Sequence, residues 1–272
     1  MNKRKQVLNT FYTENCDEDA RLIMDKRHSI EFITTTTYID KYLKPNDRIL
    51  EIGAGTGRYS LHYAKKGFKV NAIEYVKHNV DILKSHIEKG MNIVAEQGDA
   101  LDLSRFKDNT FDVTLVLGPL YHLFTEKDQK QAISEAIRVT KPNGIIMIAY
   151  LTSDSIMLSW VLGPHLIDRQ NISFDKNFKM INCEEEIFAS FYIKEFKDLM
   201  KSFNVKYIKN IATDGMSDHV GDKINALTDD EFNVWVKYHL STCERYDLQG
   251  YSNHMLYICK KNWQYKQNIL FI

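Results

Sequence analysis

Residues 49–60 read I-L-E-I-G-A-G-T-G-R-Y-S: a short apolar run closes on an acid, then turns through three glycines toward a polar–apolar alternation at helical spacing. Ile49, Leu50 and Ile52 have the composition of a strand buried on both faces. Gly53, Gly55 and Gly57 let the backbone turn sharply and bring bare amides against a ligand. The turn is therefore a strand-to-helix ligand loop, and its spacing narrows the ligand. The dinucleotide pattern G-x-G-x-x-G leaves two residues before its third glycine, so that a pyrophosphate sits on the helix N-terminus. Here the pattern is G-x-G-x-G, and Glu51 just before it would repel a pyrophosphate and welcome a ligand carrying an ammonium group.

From residue 47 to 150 short apolar runs alternate with amphipathic ones, the pattern of a parallel sheet flanked by helices. Strands are predicted at 47–52, 69–74, 92–96, 111–117 and 144–150, and helices at 57–66, 77–89 and 126–139, the last stopped by Lys141-Pro142-Asn143-Gly144. Upstream, 18–43 reads as one long or two short helices. Downstream, 151–190 reads as an irregular helical insertion containing Gly163-Pro164 and Cys183-Glu184-Glu185-Glu186. A helix at 193–202 follows, then strands at 204–212 and 254–260. Between those strands, 228–246 begins with a Thr N-cap and acids and places Phe232, Trp235, Val236 and Leu240 on one stripe, over the carboxyl edge of the sheet.

Lys plus Arg equals Asp plus Glu at 36 each, so no global positive field exists to hold a polyanion, and stable nucleic-acid binding is not expected. The one basic run, Lys3-Arg4-Lys5, reads as a solvated tail. Cys16, Cys183, Cys243 and Cys259 lack C-x-x-C spacing, so the reading is of reduced thiols and no metal site. The apolar stretch after the basic start is too short for a signal peptide and no segment approaches a membrane span, so a cytoplasmic protein, monomer or homodimer, is expected.

The E-x-G-x-G-x-G run resembles the first motif of the class I S-adenosylmethionine-dependent methyltransferases, and the similarity extends over about residues 40–150 and more weakly over 190–260. It implies an α/β fold: a Rossmann-like seven-stranded sheet in the order 3-2-1-4-5-7-6, last strand antiparallel, flanked by helices with helical cap insertions. The corresponding organisation is an N-terminal helical segment at 1–46 covering the active site, a cofactor-binding core at 47–150, a cap insertion at 151–192, a last helix and strands at 193–262 with a helical insertion at 214–250, and a tail at 263–272.

The resemblance places Glu51, Gly53, Ala54, Gly55 and Gly57 at the amino-acid part and ribose of S-adenosylmethionine, the Glu51 carboxylate answering the ammonium. Glu74, at the end of the second strand, stands where an acid accepts both ribose hydroxyls, and Tyr75 could stack on the adenine. Gly98-Asp99-Ala100 resembles the adenine-reading motif: Asp99 would accept from the exocyclic amine and Ala100 would offer its amide. Leu117 and Gly118 are expected to line the cofactor channel. The string G-P-L-Y-H-L at 118–123 resembles that of small-molecule and uncharacterised bacterial enzymes of the class, and lacks the N-P-P-Y or D-P-P-Y tetrapeptide of nucleic-acid amino methylases.

Methyl transfer from a sulfonium is an in-line displacement that needs donor and acceptor held collinear and dry, with at most one proton removed. His122 is the candidate base, against a packing or capping histidine, and Tyr121 could orient the acceptor. Tyr12, His28, Tyr150, His219 and His254 are further candidates for contact with substrate. The expected activity is methyl transfer to an O, N or C nucleophile of a small molecule. Alternatives are a protein, tRNA or rRNA methyltransferase, a non-catalytic S-adenosylmethionine-binding protein and, more weakly, an NAD-dependent enzyme.

Overall fold

A computed structural model describes residues 3–162, 174–183 and 187–263. The Gly163-Pro164 pair, the Glu184-Glu185-Glu186 run and the tail beyond Trp263 lie outside the described residues. The strands are β1 (Arg48–Ile52), β2 (Lys69–Glu74), β3 (Ile93–Gln97), β4 (Phe111–Val116), β5 (Thr140–Thr152), β6 (Ser190–Phe191), β7 (Val205–Ala212) and β8 (His254–Lys261). Seven of the eight form the order β3-β2-β1-β4-β5-β8-β7, and the two-residue β6 pairs with the end of β5. Strands β1 to β5 are mutually parallel, while β8 runs antiparallel to both β5 and β7. Apart from β6 this is the expected sheet. The chain reverses its direction of winding between β1 and β4, which opens a crevice above their carboxyl ends.

The helices that flank the parallel half are α1 (Lys3–Thr10), α2 (Lys26–Asp40), α3 (Arg58–Lys65), α4 (Lys77–Ser85) and α5 (Glu126–Val139). Helix α5 starts where Thr125 accepts from the Asp128 amide at 3.1 Å, with Glu126 and Asp128 in its first turn. It buries Ala132, Ile133, Ala136 and Val139 against the sheet, in the stripe expected. The stretch 18–43 resolves into turns followed by α2, whose N-cap Asp25 accepts from the His28 amide at 2.9 Å. Its run of β-branched threonines survives in a helix because the Thr36 and Thr37 hydroxyls donate back to the carbonyls of Phe32 and Ile33, each at 2.7 Å. Helix Asp229–Thr242 carries the Thr228/Glu231 capping box, buries His239 and half-buries the expected apolar stripe beside the carboxyl end of β7, where Ala212 donates to the Cys243 carbonyl at 2.9 Å.

Two expectations change. The Lys141–Gly144 segment belongs to β5 instead of preceding it: Thr140 pairs with Phe111, the register slips, and Ile145 pairs with Val113. Asn143 absorbs the slip at φ +64°, and Gly144 passes so close to the Asp112 carbonyl that a Cβ would lie 2.8 Å from it. The basic N-terminus is not a solvated tail. Arg4 has 11% side-chain exposure, lies 3.4 Å from Asp99 and stands 4.8 Å over the Tyr75 ring. The physical reason is that α1 is laid across the mouth of the crevice, where Leu8 is buried. Among the described residues, no helix is long and apolar enough to cross a membrane.

Candidate functional site

A cavity of about 230 Å³ opens at the carboxyl ends of β1, β2 and β4. Its floor is the glycine turn: Gly53 at φ +78° and Gly55 at φ +53° are both conformations that side chains rarely adopt. A Cβ on Gly53 would lie 2.5 Å from Pro119 Cδ, so the turns after β1 and β4 touch through a position that only glycine fills. Glu74 ends β2 with its carboxylate facing the cavity; Oε2 accepts from the Gly55 amide at 2.9 Å and Oε1 from the Val76 amide at 2.7 Å. Each oxygen keeps a lone pair for a ligand hydroxyl. Burial raises this carboxyl to about 7, against the pull of those amides. Asn79 lines the same cavity, and its Oδ1 is buried with no hydrogen-bond partner. Tyr75, Gly98, Ala100, Leu117 and Gly118 complete this half.

The other half is built by chain outside the sheet. Phe11, Tyr12, Cys16, Glu18 and Arg21 reach over the glycine turn, and the Glu18 side chain lies 3.2 Å from where a Gly55 Cβ would stand. Arg21 donates to Glu18 at 3.1 Å and to Glu31 at 2.8 Å. The Tyr12 hydroxyl meets His122 Nε2 at 2.9 Å, while His122 Nδ1 meets the Ile187 carbonyl at 2.8 Å. A carbonyl only accepts, so Nδ1 carries the proton, and Nε2 accepts from Tyr12. Burial pushes the His122 imidazole down to about 4, so it is neutral and its one lone pair is already engaged. His122 thus ties the N-terminal segment to the turn after β4, and Phe11 packs edge-on against Phe188 beside it.

A second, more open cavity of about 660 Å³ shares Arg21, Asn253 and His254 with the first. His254 opens β8, and its Nδ1 lies 2.7 Å from Asp214 and 3.6 Å from Glu31. Burial alone would lower its affinity for a proton. Glu31 and Asp214 reverse that and hold it at about 9, so the ring is an imidazolium near neutral pH. Asp214 is fixed in turn by the Ser252 hydroxyl at 2.5 Å and the His254 amide.

The expected residues therefore divide. Gly53, Gly55, Glu74, Tyr75, Ala100, Leu117, Gly118, Tyr12, Tyr121, His122 and His254 line one cavity. Asp99 sits beside it, held by the Leu101 amide at 3.0 Å and by Arg4. Glu51 does not reach it: strand alternation turns the carboxyl toward α3, where the Ser60 hydroxyl donates to it, and burial raises it to about 8. Ala54 packs with Ala72, Leu83 and Ala95, and Gly57 at φ +92° is the N-cap of α3, with Leu83 where a Cβ would go. Tyr150 lies in the core, stacked on Phe196 at 3.9 Å with its hydroxyl donated to Asn210. His28 and His219 line only the second cavity; the former is tied to Asp25 and the latter bonded to the Tyr251 carbonyl at 2.8 Å. Sequence reasoning missed Arg4, Glu18, Arg21, Asn79 and Asn253. Asn79 alone had a local signal, in the first turn of the helix after the Glu74 strand end.

Residues 49–144 match the methyltransferase domain family. The chain has the fold of the class I S-adenosylmethionine-dependent methyltransferases, built around such a domain. Among its relatives, it is 30% identical over 113 residues to the putative methyltransferase YqeM of Bacillus subtilis, a match covering 41% of this chain and 45% of that one. It is 37% identical over 106 residues to a demethylmenaquinone methyltransferase of Renibacterium salmoninarum, covering 39% and 41%. The matched stretch thus spans less than half the length of either relative. Among solved structures, an S-adenosylmethionine-dependent methyltransferase of Methanosarcina mazei superposes with a TM-score of 0.55 at 19% identity, covering 84% of this chain and 98% of that one.

Proposed function

We propose that the protein binds S-adenosylmethionine in the cavity above β1, β2 and β4 and transfers its methyl group to a small molecule. The observation that carries this reading is the convergence of the glycine turn, the Glu74 carboxylate and the unpartnered Asn79 oxygen on one cavity at the strand ends. The cofactor, when bound, supplies an electrophilic methyl on a sulfonium. Glu74 would hold the ribose hydroxyls, Tyr75 and Ala100 would border the adenine, and the Gly53 and Gly118 backbones would stand beside the amino-acid part. Glu51, held by Ser60, would act on the ammonium only through the intervening turn. The roof from residues 3–21 would exclude water, which methyl transfer to a weak nucleophile requires. The cavity is smaller than the ~300–1,000 Å³ of ordinary ligand sites, which favours a roof that shifts as the cofactor enters.

A small acceptor is supported by the balanced charge and by the enclosure of the donor cavity. Incubation with methyl-labelled cofactor and a metabolite extract tests the reading. Label in small products supports it, label in added protein or RNA replaces the acceptor class, and binding of S-adenosylhomocysteine without transfer replaces the enzyme with a binding protein. Calorimetry in which NADH binds and S-adenosylhomocysteine does not would end it.

A further inference from the structure

We infer that His254 is the group that orients the acceptor, and that the acceptor presents an anionic oxygen (a carboxylate, phenolate or enolate) to its Nε2–H. The inference rests on the donor-site reading above. Three observations carry it. His254 belongs to the wall of both cavities, so whatever crosses from the open one toward the glycine turn passes its ring. Its Nδ1 is pinned to Asp214 at 2.7 Å, and Asp214 is pinned by Ser252, which fixes the ring plane. Among the described residues nothing bonds to its Nε2, so the N–H that the imidazolium form carries there is left for a ligand.

The charged groups around it decide what that ligand is. Glu31 faces it from α2, Asp214 and Asp218 from the loop after β7, Arg21 from the N-terminal segment, and the Tyr121 ring lies 5.7 Å away. Arg21 is committed to Glu18 and Glu31, and Asp214 to His254 itself. With Arg27 also in the wall, Arg21, Arg27 and His254 face Glu18, Glu31, Asp214 and Asp218, and burial with Asp214 beside it raises the affinity of Asp218 for a proton, so the wall carries at most one net negative charge. A proton-bearing Nε2 in that setting donates; it cannot accept from an ammonium. His254 is accordingly a positioning residue that takes no proton from the nucleophile.

The test follows the His254 ring by NMR in protein saturated with S-adenosylhomocysteine, using formate as an anion small enough to enter any acceptor pocket and methylammonium as its cationic counterpart. Formate is expected to shift the ring signals and to move the His254 titration to higher pH, and methylammonium to do neither. In His254→Gln, formate should no longer bind at this place; in Asp214→Asn, which keeps the ring, the titration should fall and the formate response weaken. A titration indifferent to formate, or a response to methylammonium in its place, overturns the inference. Failure of S-adenosylhomocysteine to bind in the same sample counts against the donor site and is seen separately.

Discussion

At Gly55 the backbone stands at φ +53°, its amide is spent on Glu74, and the side where a Cβ would grow already faces Glu18 at 3.2 Å. Gly55→Val adds strain of about 1–2 kcal/mol and fills the approach to the cavity, so it should abolish S-adenosylhomocysteine binding in calorimetry while circular dichroism still reports a folded sheet. Glu74→Ala strands the Gly55 and Val76 amides as well as the proposed ribose contacts. Its affinity for S-adenosylhomocysteine should fall by ~1–3 kcal/mol, and equal affinities for variant and wild type would remove Glu74 from the ribose. These positions were legible because the turn glycines and the strand-end acid answer local requirements: a positive φ, a close approach, a carboxylate at a fixed place in a βαβ unit. Glu51 obeyed the same spacing, yet Ser60 nine positions on captures its carboxyl, a contact that no periodicity reveals.

Among elements, the N-terminal segment was expected to cover the active site, but the contacts that fasten it were hidden in the sequence. Its side chains carry no motif, and Arg4, Tyr12 and Arg21 acquire meaning only through residues such as Asp99, His122 and Glu31. The Tyr12–His122 bond makes this element sensitive to acid. His122 titrates near 4 in the fold against an ordinary 6.5, so between those values the unfolded or opened chain binds the proton more readily, and stability held by the neutral ring is lost as pH falls. Hydrogen exchange over residues 3–15, corrected for intrinsic rates and referred to α5, should accelerate as pH drops through this window. Tyr12→Phe strands the His122 lone pair and should accelerate the same amides at neutral pH; unchanged exchange would mean that the bond does not hold the segment.

For the whole molecule, the limits of most strands were legible because buried parallel strands and amphipathic helices carry opposite periodicities, whereas the sheet order came from the resemblance of the glycine turn to a known class. The proposed acceptor half was not legible, since its wall is assembled from the N-terminal segment, the loop after β7 and the start of β8, segments far apart in the chain and irregular between. The donor half also gathers acid: Glu18 and Glu74 each raise a neighbouring carboxyl's affinity for protons, and burial holds Glu74 at about 7. A ligand bearing a sulfonium and an ammonium lowers those affinities, so binding near neutral pH should release protons. Calorimetry in buffers of different ionisation heat should detect them, with fewer released by S-adenosylhomocysteine, which lacks the sulfonium charge, and fewer at higher pH, where the carboxyls are already ionised. The contrast between the two walls has a kinetic consequence. Gly53 and Pro119 are in contact, so the floor is stiff, whereas the roof is fastened by side chains such as Tyr12 and Arg4. The residence time of spent cofactor is then set by how often the roof lets go, and a looser fastening would trade tighter retention for faster turnover.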